Sequence, residues 1–199
     1  MAMHPVHLRI EPSANMARVH VVIRLALLLA LGALGLSSLY WLLYLVLPAI
    51  AALVLSQRGA QRYLSEDGPP IVRVLRWLAG AYAYLWLLTD AFPTSEAGGA
   101  VDLEVDVGGS PTPSSALLRL LNSLPALLIL VLLSLAAGII WLIGAIVILI
   151  RKRMPAALAN FLALTLRYQF RLAAFHLSLV DRYPSFEEES SQHAAATAR

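Results

Sequence analysis

Two stretches of this chain carry no charged residue: Leu25 to Gln57, between Arg24 and Arg58, and Leu120 to Ile150, between Arg119 and Arg151. Each exceeds the roughly 20 residues that cross a bilayer core of about 30 Å, and falls short of the roughly 40 that two crossings need. Each is expected to be one tilted helix with interfacial ends. Helix is the conformation that satisfies its own backbone groups where there is no water. Composition agrees: 59% of the 199 residues are hydrophobic and 14% charged, where a soluble domain carries about 25% charged. The net charge of +3 is too small to argue for nucleic acid, and no basic patch alternates with aromatics. No cysteine is present, which excludes disulfides, thiolate metal sites and cysteine nucleophiles. Ala49-Ile50-Ala51 looks like a signal-peptide cleavage site, but the apolar run is too long and follows a polar leader, so the segment is expected to be retained.

The chain also reads as two copies of one unit. Leu75-Arg76-Trp77 recurs as Leu166-Arg167-Tyr168, Ala83-Tyr84 as Ala174-Phe175, and Asp90-Ala91-Phe92-Pro93 as Asp181-Arg182-Tyr183-Pro184, all at an offset of 91. Nearer the start of each unit the offset is 95: Val6-His7-Leu8-Arg9-Ile10 matches Val101-Asp102-Leu103-Glu104-Val105, and Arg24-Leu25 matches Arg119-Leu120. A net four-residue deletion in the second copy accounts for the change. Each unit then runs through an alternating, strand-like segment, a long apolar helix, a basic turn (Arg58 and Arg62, or Arg151-Lys152-Arg153), and a shorter, more polar helix with an Asp-x-aromatic-Pro exit. The expected organisation is a first repeat over 1–93, a strand segment and Gly/Ser/Pro-rich linker over 94–115, the helices of the second repeat over 116–186, and a disordered tail over 187–199. The fold class expected is an all-α membrane protein: four transmembrane helices as two tandem two-helix repeats, each preceded by a short β-strand, the two strands pairing with each other.

At the second exit the chain resembles a known family. Arg167-Tyr168-Gln169-Phe170-Arg171, Ala174-Phe175 and Asp181-Arg182-Tyr183-Pro184-Ser185-Phe186 look like the domain-of-unknown-function 4389 (DUF4389) family, and His4-Pro5-Val6-His7-Leu8-Arg9-Ile10 looks like its leading strand. Copy one departs from the pattern, with Gly80 in place of the second arginine and Ala91-Phe92 in place of Arg-Tyr. The resemblance implies an architecture and transfers no catalytic residue.

Charge sets the expected topology. Arg58, Arg62, Arg73 and Arg76 face only Glu66 and Asp67 in the first basic segment, and Arg151, Lys152, Arg153, Arg167 and Arg171 face no acid in the second. The linker carries Glu96, Asp102, Glu104 and Asp106 and no base. The positive-inside rule then puts both basic turns in the cytoplasm and both termini outside, in a multi-pass protein of the inner (plasma) membrane. Arg9, Arg18 and Arg24 in the leader argue mildly the other way. The shorter helices, from Arg76 to Asp90 and from Arg167 to Asp181, span roughly 21 Å each at 1.5 Å per residue. Their charges are read as membrane boundaries, with half-inserted helices as the alternative.

Candidate chemistry is sparse. Arg167 and Arg171 lie on one helix face, and an intramembrane arginine is costly. Either the pair binds an anionic lipid headgroup or substrate, or both side chains snorkel with structural hydrogen bonds. His176 is read as packing, because no carboxylate partner lies in the long helices. His4, His7, His20 and His193 lack metal-site spacing. Asp181, Arg182, Tyr183, Pro184 and Phe186 form the family-like motif, read as a structural membrane exit. Small residues at Gly32, Gly35 and Ser38, and at Ala136, Gly138 and Gly144, suit close helix packing. No Walker loop, nucleophile elbow, HExxH or dinucleotide fingerprint is present. No enzyme, cofactor or metal is expected. The leading expectation is a non-catalytic membrane scaffold or accessory subunit, its partners being the bilayer, anionic lipid, and another membrane protein or a second copy. The alternative is lipid binding or small-solute transport.

Overall fold

Strand β1 (Val6–Ile10) is followed by helices α1 (Arg18–Ala33), α2 (Leu36–Arg62) and, after a single π-helical turn at Tyr63–Asp67, α3 (Gly68–Leu85). Strand β2 (Val101–Val105) then leads to α4 (Pro113–Asn122), α5 (Leu124–Arg151) and α6 (Ala156–His176). The structure, a computed structural model, describes residues 4–11, 13, 15–34, 36–92 and 100–185, without the side chains of 36–43. Gly35, Pro93, Phe186, the segment 94–99 and the tail 187–199 lie outside the described residues, as does the side chain of Ser38.

The strands pair as the alternation predicts. They are antiparallel, with Leu8 opposite Leu103 at the centre. Val6, Leu8 and Leu103 are buried and Arg9 and Glu104 exposed, so one face packs on helices and the other is charged. Carbonyl groups at the two open edges are taken by arginines from mid-helix: Arg167 Nε donates to Leu8 O at 3.1 Å, and Arg76 Nε to Leu103 O at 3.2 Å.

The long helices differ from expectation. Each apolar stretch is interrupted near its start, so that Leu25–Gln57 is shared by α1 and α2, and Leu120–Ile150 by α4 and α5. In the second case Pro125 has no N–H to continue the ladder of α4, and the chain turns at Ser123. The helices expected to begin at 116 accordingly begin at Pro113, where Thr112 and Ser115 form a reciprocal capping box. In α2, Gly59 takes φ 76, a positive value open to glycine, and bends the helix between Arg58 and Arg62 of the basic turn. The shorter helices start well before their arginines and stop before their aspartates, α3 at Leu85 and α6 at His176. Both stops have one form: Leu87 and Ser178 adopt left-handed φ of 61 and 55, and Leu88 and Leu179 donate back to Ala83 O and Ala174 O.

Helix α6 is the axis of the core, with Leu162, Leu166, Leu172 and Ala174 fully enclosed. It forms an antiparallel hairpin with α5, closed at one end by the turn after Arg151 and at the other by a 2.7 Å hydrogen bond between Ser123 and His176. It also runs antiparallel to α3. Tyr63, just ahead of α3, donates its hydroxyl to Leu177 O just past α6. At the opposite end Met16 N donates to Lys152 O and Ala17 N to Asp90, tying the start of α6 to the exit of α3.

That arrangement corrects the expected topology. The two basic turns were expected on one face of a four-crossing bundle. They sit instead at opposite ends of α6, whose 21 residues separate them by about 31 Å. Among the described residues one helix, Leu124–Arg151, is long and apolar enough to cross a membrane. The fold class that stands is a mostly helical protein with a short two-stranded sheet and one candidate span. Large apolar side chains are exposed along α1, α2, α4 and α5, including Leu29, Leu53, Leu121, Leu135 and Ile150.

Candidate functional site

Two buried arginines organise the ends of the fold. Arg24 on α1 is fully enclosed. Its Nη2 donates to Thr89 O at 2.6 Å and to Asp90 Oδ1 at 2.8 Å, and its guanidinium lies 4.4 Å from the centre of the Tyr84 ring. Asp90 also accepts from the Ala17 N–H, the residue before α1. Arg119 on α4 repeats this at the other end. It donates to Phe175 O and Val180 O, pairs with Asp181 Oδ1 at 2.5 Å, and sits 4.6 Å from the Phe175 ring centre. Asp181 also accepts from Ser110 N, ahead of α4. The arginines stand 95 apart and the aspartates and rings 91 apart, the offsets read in the sequence. A charge-assisted pair on a ring face fixes orientation as well as distance. Each cluster thus locks one amphipathic helix to the exit of one core helix.

The sequence-predicted residues fall into this scheme. Arg167 and Arg171 share a face, but the partners seen are main-chain carbonyls on different segments. Arg167 reaches Leu8 O in β1, and Arg171 Nη1 reaches Ser185 O in the exit at 2.5 Å. Of the motif, Asp181 holds Arg119, Tyr183 accepts from the Ala126 N–H at the start of α5 and packs on Phe175, and Pro184 is buried. Arg182 is half-buried and engaged. The motif therefore closes the end of α6 onto α4 and α5. Sequence reading missed the Arg24 and Arg119 clusters, treating both arginines only as flanks of apolar stretches. The signal was the co-repeat of Arg24/Arg119 with Asp90/Asp181.

The Ser123–His176 contact has the reach of a nucleophile and base, yet Ser123 Oγ already donates to Leu120 O at 3.1 Å. Which of the two donates across the 2.7 Å contact depends on the tautomer of His176, and the Ser123 hydroxyl is shared with a main-chain carbonyl. Both residues are enclosed, consistent with the packing role expected of His176. At the same end of α6, burial pushes the Tyr63 phenol up to about 12, which keeps it the donor to Leu177 O. Among the described residues no three His, Cys, Asp or Glu side chains gather as a metal site. An apolar cavity of about 430 Å³ lies between α2, α3 and α6, lined by Tyr44, Leu47, Val74, Leu78, Phe170 and Ala173.

Fold and site together define a helical protein with an apolar exterior, whose polar interior residues are spent on locking helix ends. Residues 113–187 match the model of a family described as Domain of unknown function (DUF4389). That portion covers α4, α5, α6 and the exit, and so contains the Arg119–Asp181 pair, the Ser123–His176 bond and the motif around Tyr183. It supports the family resemblance drawn from Arg167 to Phe186. No curated protein and no solved structure matches the chain.

Proposed function

We propose that this chain is a membrane-embedded, non-catalytic scaffold or accessory subunit of the inner (plasma) membrane, built from two copies of one unit over 1–93 and 94–186. The observation that carries the reading is the exterior: α1, α4 and α5 expose large apolar side chains along their length and α2 does so from Leu45 to Leu53, where soluble monomers keep contiguous apolar patches small. The duplication is supported by the paired arginine clusters, the paired left-handed helix ends and the reciprocal arginine–strand bonds. The absence of catalysis is argued from the site, where the arginines, aspartates and His176 face structural partners. The chain is expected to stay in the membrane pellet after alkaline carbonate, and to purify in mild detergent with a stoichiometric companion, either a second copy or another membrane protein. A stable monomer without companion would overturn the scaffold reading.

The second reading, lipid binding or small-solute transport, is favoured by the cavity between α2, α3 and α6, whose volume lies within the roughly 300–1,000 Å³ of ligand pockets. An anionic headgroup held by Arg167 and Arg171 belongs to this reading. A planar guanidinium suits a phosphate, and lysine replaces it poorly. With the two guanidiniums turned to Leu8 O and Ser185 O, Arg171→Lys is expected to retain as much co-purifying anionic lipid as the unsubstituted chain. Mass spectrometry of the bound lipid checks this, and selective loss from a folded variant would restore the headgroup site.

A further inference from the structure

We infer that the chain lies in one leaflet of the bilayer, with α3, α6 and the sheet parallel to the membrane surface and the sheet facing water. The inference rests on the membrane reading above and deepens it. The sheet runs lengthwise over α3 and α6. Gly108, just past β2, donates to Leu179 O beyond the end of α6, while Ser13, just past β1, donates to Leu88 O beyond the end of α3. Between those points Arg167 and Arg76 hold the strand centres from mid-helix. Since α5 is bound to α6 at both ends, a transverse α5 would carry the sheet to mid-depth. There the exposed Arg9 and Glu104, and the strand-edge groups other than the carbonyls of Leu8 and Leu103, would meet hydrocarbon. Open sheet edges do not occur facing lipid, because each unsatisfied backbone group costs several kcal/mol. Charged side chains there add to the cost.

Laid flat, the same fold meets no such conflict. The outer row of α5, with Leu128, Leu132, Leu135, Ile139, Leu142 and Ile146, enters the acyl region as an interfacial helix does. The basic turns at the two ends of α6 then share the headgroup level. At one end Arg151, Lys152 and Arg153 are exposed and make no ion pair among the described residues, and Arg18 joins them through Ile150 O. At the other, Arg58 and Arg62 are exposed beside Asp67 and Glu66. The structure thus assigns its apolar face to a single leaflet with anionic headgroups at the rim.

Because the chain has no cysteine, single substitutions Ser65→Cys, Ser110→Cys and Arg153→Cys report cleanly on sidedness. All three positions are exposed. An impermeant thiol reagent is applied to sealed membrane vesicles of each orientation. All three cysteines labelled from the same side, and protected from the other, is the expected result. Ser65→Cys and Ser110→Cys on one side with Arg153→Cys on the other means that α6 spans, and overturns the inference. Ser110→Cys opposite the other two restores four crossings with both basic turns on one face, and overturns it equally. Release of the chain from the vesicles by carbonate would instead remove the membrane reading itself.

Discussion

Asp90→Ala is expected to destabilise the fold by about 3–5 kcal/mol, the range for stripping one partner from a buried ion pair. Arg24 is 0% exposed and Asp90 only 19%, so removing the carboxylate leaves a guanidinium with Thr89 O as its remaining acceptor and no access to water. The Ala17 N–H at the start of α1 loses its acceptor as well. Asp181→Ala should cost less, about 1.5–3 kcal/mol, as for a hydrogen bond to a charged group. Asp181 is 52% exposed, and Arg119 keeps both Phe175 O and Val180 O. Thermal unfolding of the two variants in lipid nanodiscs gives the ranking, and Asp181→Ala as the more damaging variant would refute the burial argument. The double variant Arg24→Met with Asp90→Ala should recover much of the loss, since an unbranched apolar side chain fills most of the same space and needs no counter-charge.

Gly109→Ala is the second large effect. Gly109 has φ 108, and a Cβ there would stand 2.1 Å from Asp181 Oδ2. The backbone conformation alone costs an L-residue roughly 1–3 kcal/mol. Expelling the Asp181 carboxylate from Arg119 and Ser110 N adds to that. Gly108→Ala is the control one residue away, with nothing within 4 Å of the added methyl. It should stay within about 0.5 kcal/mol of the parent chain. Equal melting temperatures for the two variants would show that the Asp181 approach does not constrain the turn. Because Asp181 belongs to the portion matched by the family model, this test also probes how the segment ahead of that portion closes on its exit.

Much of this fold follows from local free energies, and those are legible in the sequence. Leu25–Gln57 and Leu120–Ile150 announce apolar helices because transfer from water scales with each residue's own surface. The alternation at Val6–Ile10 and Val101–Val105 announces half-buried strands, since successive side chains point to opposite faces. The 91- and 95-residue offsets already placed Arg24 opposite Arg119 and Asp90 opposite Asp181. What could not be read is how chain-distant groups meet. The equal spacing from Arg76 to Asp90 and from Arg167 to Asp181 looked like membrane thickness, yet it measures half a helix, a left-handed residue and an extended exit. Leu87 and Ser178 give no warning of those turns, because residues other than glycine and asparagine seldom take positive φ. They do so here because Leu88 and Leu179 then bond back into the helix and the aspartates reach the buried arginines. Likewise the charge of the two basic turns is a property of their residues, but their placement at opposite ends of α6 is not. It depends on Tyr63 meeting Leu177 and Met16 meeting Lys152, contacts made only once the whole chain is packed.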